Sequence, residues 1–360
     1  MIRILHAADL HLGSRFQGLD PELAVQRRKQ LLEVPDRLAD LCLERDCQLL
    51  FLAGDLFDRP EGDRAGAERL AAALERAGVP TFLTPGNHDP YGAGSLYQSF
   101  PWPGNVHIFT QPSVSSVALP ELSCRVWGAG FQSMDCPGLL EGFRAAGPEA
   151  VQLAVLHGDP ARGDSPCCPV TRAQVAGSGL AYLALGHLHK AGQFQAGRTL
   201  CAWPGCPMGR GFDETGVKGV YVTEVDRDGA RAEFVPLDGG RYEDLTVEVG
   251  PDPLESILAA LPPDAARDIY RITLAGTAAE VDLEALTARL KDRFFSLRLR
   301  DRTTPPEDLW ERADRDSLEG LYFRLLREAM TGADERTREV LTLAARLSRR
   351  ILDGREVDLP

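Results

Sequence analysis

Ile2-Arg3-Ile4-Leu5-His6-Ala7-Ala8-Asp9-Leu10-His11 is a short apolar run, β-prone at its start, that ends in a carboxylate and an imidazole two residues apart. Side chains alternate along an extended chain, so residues two apart leave a strand end on the same side. Four further stretches repeat the design. Residues 48–53 lead into Gly54-Asp55, and residues 81–84 into Gly86-Asn87-His88-Asp89. Residues 152–156 lead into His157-Gly158, and residues 182–185 into Gly186-His187-Leu188-His189. Five of the seven histidines in the chain, His11, His88, His157, His187 and His189, fall in the blocks that close these runs. Each block alone reads as a turn or a capped helix. Five in order, each closing an apolar run, predict oxygen and imidazole ligands gathered at one edge of a sheet.

The intervening segments support that geometry. Residues 21 to about 44 carry apolar positions at helical spacing, Leu31, Leu38 and Leu41 among them, and residues 65–77 read as a second helix. Strand–helix alternation predicts an α/β fold with a partly parallel sheet. A strand is also expected at 125–129. Later runs at 199–202, 219–225 and 232–237 turn β-rich, with Asp226-Arg227-Asp228-Gly229 as a hairpin turn. The expected architecture is a sandwich of two sheets flanked by helices over residues 1–240. Asp238-Gly239-Gly240 then marks a boundary, and residues 241–303 read as a small βαβαβ domain. Thr304-Pro305-Pro306 opens a helical tail over 304–360, with Leu318, Leu321, Leu325 and Leu326 on one face.

The chain has 360 residues, of which 44% are hydrophobic and 26% charged, as expected of a globular protein with a main domain and a smaller appendage. Its formal net charge is −13, and only four of its basic residues are Lys. That balance argues against tight DNA binding without metal ions, yet bound cations supply positive charge locally. Eight cysteines lack C-x-x-C pairing, which disfavours a zinc site and fits reduced thiols, Cys42 and Cys47 packing as small apolar groups. No signal-peptide pattern and no run of roughly 20 apolar residues is found. A cytoplasmic protein without membrane contact is expected.

The blocks supply two Asp, one Asn and four His as ligands, leaving His88 over. Asp55 can bridge two cations. Mixed imidazole and carboxylate donors suit Mn²⁺, Fe²⁺ or Zn²⁺ better than Ca²⁺. Two such ions would activate a bridging hydroxide and clamp a phosphate for in-line attack.

The series D-x-H, G-D, G-N-H-D, H and G-H-x-H resembles the calcineurin-like metallophosphoesterases. The resemblance implies one metal on Asp9, His11, Asp55 and His189, and the other on Asp55, Asn87, His157 and His187. It further implies that His88 approaches the scissile phosphate as acid or charge stabiliser, with Asp89 orienting its ring. Residues 4–13, 54–60, 182–190 and 204–216 resemble the SbcD-type DNA-repair exonuclease branch, and the last two stretches its YhaO-like members most; the α/β segment 241–303 is similar to that branch's capping domain in pattern only. Pro60 after Asp58-Arg59 departs from the Asp-Arg-Gly usual in protein phosphatases of that superfamily.

The resemblance implies a Mn²⁺-dependent DNA exo/endonuclease that partners an SMC-like coiled-coil ATPase (SbcC/YhaN-like) through the helical tail, and a homodimer. The alternatives are a phosphodiesterase or phosphatase acting on a small phosphoester, and a largely non-catalytic scaffold subunit of an ATPase complex. Arg59, Lys190 and Arg210 flank the metal blocks as candidate phosphate contacts. Arg298, Arg300 and Arg302 alternate on one strand face, suited to a DNA backbone or to solvent. His6, off the ligand register, is expected to be packed, and His107 to lie at the surface.

Overall fold

Alternation of apolar runs and amphipathic stretches builds the first 237 residues. The chain runs β1 (Ile2–Ala7), α1 (Pro21–Leu32), α2 (Val34–Glu44), β2 (Leu49–Ala53), α3 (Arg64–Ala77), β3 (Thr81–Thr84), α4 (Leu96–Ser99) and β4 (Val106–Ile108). It continues through β5 (Ser115–Leu119), β6 (Cys124–Gly128), β7 (Val151–His157), α5 (Arg172–Gly177), β8 (Tyr182–Gly186), β9 (Lys190–Ala196) and β10 (Thr199–Gly205), then β11 (Gly219–Val225) and β12 (Ala230–Pro236). The structure, a computed structural model, describes residues 1–237, 239–278, 281–304 and 308–354. Asp238 of the first expected boundary, Pro305 and Pro306 of the second, and residues 355–360 of the tail lie outside the described residues.

Two six-stranded sheets result, ordered β12-β11-β1-β2-β3-β4 and β5-β6-β7-β8-β10-β9. β1, β2, β3 and β4 pair in parallel, as do β6, β7, β8 and β10, while the remaining strands join antiparallel. Ile4, Leu49, Phe51 and Phe82 of the first sheet share a core with Val126, Leu153, Val155 and Tyr182 of the second. The other face of the first sheet, Leu5, Leu50 and Leu52, packs with Leu31, Leu38, Leu70 and Leu74 of the helices. Each such side chain contributes roughly 1.5–3 kcal/mol by leaving water. The parallel central strands of both sheets therefore release their C-terminal ends at one end of the sandwich, the blocks after β1, β2 and β3 from the first sheet and those of β7 and β8 from the second, not from a single sheet as expected.

The expected helix over 21–44 is two helices. Glu33 N–H closes α1 on Gln30 and Leu31 carbonyls, and Pro35 lies in the first turn of α2. Pro35 has no N–H to continue the ladder, so the helix restarts. Strands β5 and β9 leave no apolar run because their residues are partly exposed and mostly polar or small, and β4, Val106-His107-Ile108, is only three residues long.

Beyond residue 240 come β13 (Tyr242–Glu248), α6 (Pro253–Ala260), β14 (Ile269–Ala275), α7 (Leu283–Leu290) and β15 (Ser296–Asp301), the expected βαβαβ order. These strands form a sheet ordered β13-β14-β15. Helices α8 (Leu318–Ala329) and α9 (Glu335–Leu352) follow, capped by the Ser317 and Asp334 side chains. Their small core is Ala313, Phe323 and Ala345. The chain divides into two compact units. One comprises Met1–Thr246, Leu261–Thr273 and Leu283–Arg300, and the other Val247–Ala260, Leu274–Asp282 and the residues from Asp301.

Candidate metal centre

The ligand blocks lie just past their strands, and their backbone is unusual. Asp9, His11, Asp55 and His187 all have positive φ, at 53°, 48°, 51° and 91°. Such residues are uncommon outside glycine and cluster where surrounding structure enforces them. Here the loops after β1 and β2 zip together: Asp9 N donates to Gly54 O (3.0 Å), His11 N to Asp55 O (3.0 Å) and Leu12 N to Leu56 O (2.8 Å). Asp9 and His11 therefore converge through a left-handed loop, not through strand alternation as expected. Gly54, at φ 84°, is required twice over, because a Cβ there would run into the His157 ring.

All seven expected ligands come together. One donor atom from each of Asp9, His11, Asp55 and His189 lies within 4.8 Å of the others. His11 Nε2 is 3.3 Å from His189 Nε2 and 3.9 Å from Asp55 Oδ2. Asp55 Oδ2 is also 3.4 Å from His157 Nε2, so this carboxylate stands between two groups of donors. Asn87 Oδ1 lies 2.9 Å from His157 Nε2 and 3.0 Å from His187 Nδ1. His157 Nδ1 donates to the Ala53 carbonyl (2.9 Å), so in the neutral ring Nε2 is a lone pair aimed at the Asn87 oxygen. Two acceptors facing each other need a cation or a proton between them, so the donor set fits a pair of divalent ions. Asp55 and Asp9 create that demand. Burial opposes charge on His157, yet these carboxylates push it up to about 10. Asp55, despite its own burial, is held below the usual carboxylate range by His157, His11 and His88.

The imidazoles are braced from behind. Glu214, almost fully buried, accepts from His189 Nδ1 at 2.7 Å. Asp58 Oδ1 lies 3.5 Å from His11 Nδ1, and Asp159 Oδ2 lies 3.8 Å from His187 Nε2. Such outer partners set ring tautomer and orientation. None of the three was singled out as a site residue from the sequence. Asp159 follows His157 by two residues and Asp58 follows Asp55 by three, weak signals at best. Glu214 lies in the 204–216 stretch that carries the resemblance, but nothing in that stretch ties its carboxylate to a histidine.

His88 stands edge-on to His11, with ring centroids 4.8 Å apart, and its backbone N–H donates to Asp55 Oδ1 at 2.8 Å. Asp89 has a different task from the expected one. Its carboxylate accepts from Gly86 N (2.8 Å), Leu56 N (2.6 Å), Phe57 N (3.0 Å) and Tyr97 Oη (2.5 Å), and among the described residues no hydrogen bond joins it to the His88 ring. It fastens the 86–89 loop to the end of β2. Burial, reinforced by Asp55, pushes its carboxyl up to about 7.

Arg210, expected as a phosphate contact, is instead engaged by carboxylates. Its guanidinium donates to Glu214 (2.6 Å) and to Asp58 (3.1 Å), with 16% of the side chain exposed. Lys190 is exposed at the start of β9, in a cleft that His189 also lines. Arg59 is exposed in the turn after Asp58. His6 is packed as expected, with Nδ1 2.7 Å from Tyr182 Oη and Nε2 3.0 Å from Leu185 O. His107 is exposed on β4.

A sandwich of this topology, with these donors at its edge, is a metallophosphoesterase. The chain belongs to the calcineurin-like phosphoesterase family, which it matches over residues 2–191, just over half its length. It is 29% identical over 304 residues to the uncharacterized metallophosphoesterase YhaO of Bacillus subtilis, covering 79% of this chain and 74% of YhaO. It is 25% identical to the D component of the Bacillus subtilis nuclease SbcCD over 266 residues, 62% of this chain and 66% of that one. The corresponding D component of the Rhodobacter capsulatus nuclease SbcCD is 27% identical over 384 residues, 86% of this chain and 91% of that one.

Proposed function

We propose that this chain is a DNA exo/endonuclease that hydrolyses phosphodiesters at a pair of Mn²⁺ ions. The observation that carries the reading is the convergence of seven donors and the His88 ring at the strand ends of the two sheets, in a chain similar along most of its length to a component of a nuclease. Asp9, His11, Asp55 and His189 would hold one ion, and Asp55, Asn87, His157 and His187 the other. When bound, such ions polarise a phosphoryl oxygen and provide a deprotonated water at neutral pH. The His88 imidazole donates a proton to the leaving oxygen, and Asp89 keeps the His88 loop against Asp55. Lys190 and Arg59 hold neighbouring phosphates.

In this reading residues 1–240 are the catalytic part, 241–303 a cap and 304–360 a tail that docks on an SMC-like ATPase in the cytoplasm. The tail supports that role with an apolar groove of about 720 Å³ lined by Leu318, Leu321, Tyr322, Leu325, Ile351 and Leu352. Among the described residues no helix is long and apolar enough to cross a membrane.

A small phosphoester is the second reading, favoured by the net charge of −13, which repels a polyanion. Incubating the full chain and Mn²⁺ with labelled single- and double-stranded DNA, beside bis(p-nitrophenyl) phosphate, separates the two. Cleavage of DNA is expected; turnover of the small ester alone would leave the second reading standing.

A further inference from the structure

The outer nitrogens of two imidazoles in the same group of donors are joined by side chains that touch none of the ligands' inner atoms. His189 Nδ1 meets Glu214 Oε1 at 2.7 Å. Glu214 takes Arg210 through Nη2 at 2.6 Å, Nε at 3.2 Å and the backbone N at 2.8 Å. Arg210 Nη1 goes on to Asp58 Oδ1 at 3.1 Å, and that oxygen lies 3.5 Å from His11 Nδ1. His11 Nε2 and His189 Nε2, 3.3 Å apart, close the ring. His11 Nδ1 is buried without a hydrogen bond, so Asp58 is the acceptor poised for it. The chain spans segments far apart in sequence and is itself anchored. Arg27, fully buried, donates to Gly209 O at 2.9 Å, next to Arg210, with its guanidinium 5.8 Å from the centroid of the Phe16 ring and 5.7 Å from that of the Tyr242 ring.

We propose that Glu214 and Arg210 are positioning residues that set the affinity of the Asp9–His11–Asp55–His189 group for its cation, and do so selectively. Glu214 holds the His189 proton on Nδ1, so that Nε2 faces inward as a donor. Arg210 is needed because Glu214 and Asp58 are like charges approaching one cavity; its planar fork neutralises both and fixes their spacing. Lys, a point charge with no fork, cannot reach both carboxylates in that geometry. The Asn87–His157–His187 group has no share in this chain, so it keeps its affinity when the chain is broken.

The inference rests on the metal-centre reading above, and one experiment separates the two. Mn²⁺ is titrated into the metal-free full chain by calorimetry, with stoichiometry checked by elemental analysis and the thermal midpoint of each metal-free variant recorded. Wild type is expected to take up two ions; if it takes up none, the metal reading itself fails. Glu214→Gln and Arg210→Met are expected to weaken one binding event by about tenfold to a hundredfold and leave the other within about twofold. Arg210→Lys should fall between Arg210→Met and wild type. Asp58→Asn, at the more exposed end of the chain, carries the same expectation should either variant lower the metal-free midpoint. Unchanged binding of both ions in these variants, or equal weakening of both, overturns the proposal.

Discussion

The two halves of the metal centre are built from similar ligands on different foundations. The half around Asp9, His11 and His189 carries the more charge: two carboxylates face inward, and Asp58, Arg210 and Glu214 form an ionic chain outside. The half around Asn87, His157 and His187 adds only a neutral amide and two imidazoles to the shared Asp55. Its outer supports are a backbone carbonyl at 2.9 Å and a carboxylate, Asp159, at 3.8 Å. Charge and fixed geometry both favour retaining a cation, so the first half is expected to hold its ion more tightly. The comparison separates what a ligand list cannot: equal numbers of donors need not mean equal sites.

The most severe way to break the comparison is to remove the residue both halves share. Asp55→Ala should lower phosphodiester turnover by more than about a thousandfold and reduce bound Mn²⁺ below two per chain, measured by steady-state assay and elemental analysis. Two retained ions would deny Asp55 its bridging place.

Changing His88 leaves both halves intact and tests the proton step alone. His88→Gln is expected to cost about a hundredfold to ten-thousandfold in kcat with metal content unchanged. Activity near wild type would remove His88 from the chemistry.

A smaller effect is expected from the weaker brace. Asp159→Asn should loosen one Mn²⁺ by less than about tenfold, because 3.8 Å exceeds hydrogen-bond reach. A loss as large as that for Glu214→Gln would make the two halves equivalent in their outer support.

The smallest effect concerns the staple behind both halves. His6 joins β1, which delivers Asp9 and His11, to Tyr182 and Leu185 of β8, which delivers His187 and His189. Burial lowers its pKa to about 3, against 6.5 for the free side chain. The unfolded chain thus takes up a proton below pH 6.5 that the folded chain resists until about 3. Stability present at neutral pH is lost as pH falls through that window, by roughly 3 kcal/mol at about pH 4. Urea unfolding of the metal-free chain at about pH 7 and about pH 4 should show a shallower loss in His6→Asn. An identical slope would assign the acid sensitivity elsewhere.

All seven donors and His88 were legible because each lies at the end of an apolar run, and apolar runs are what sequence patterns reveal. The sandwich was legible for the same reason through β1, β2, β3, β7 and β8. Strands with half-exposed polar residues, such as β5 and β9, leave no pattern, and the break at Pro35 is a local signal masked by the helical spacing on either side of it. Arg210 was misassigned because a lone Arg near a metal block carries no record of its partners. Asp58 lies 152 residues away from it, and only folding brings the two to 3.1 Å.

The sequence by itself determined the ligand types, their order and the strand ends at which they emerge, since strand periodicity and strand ends are local properties; that those strands belong to two sheets was decided by packing. Only the tertiary structure decided how Asp9 and His11 turn inward, that Asp89 fastens a loop, and that Glu214, Arg210 and Asp58 stand behind two of the ligands. Those outcomes depend on left-handed backbone held by distant hydrogen bonds and on charges that meet only when the sheets pack.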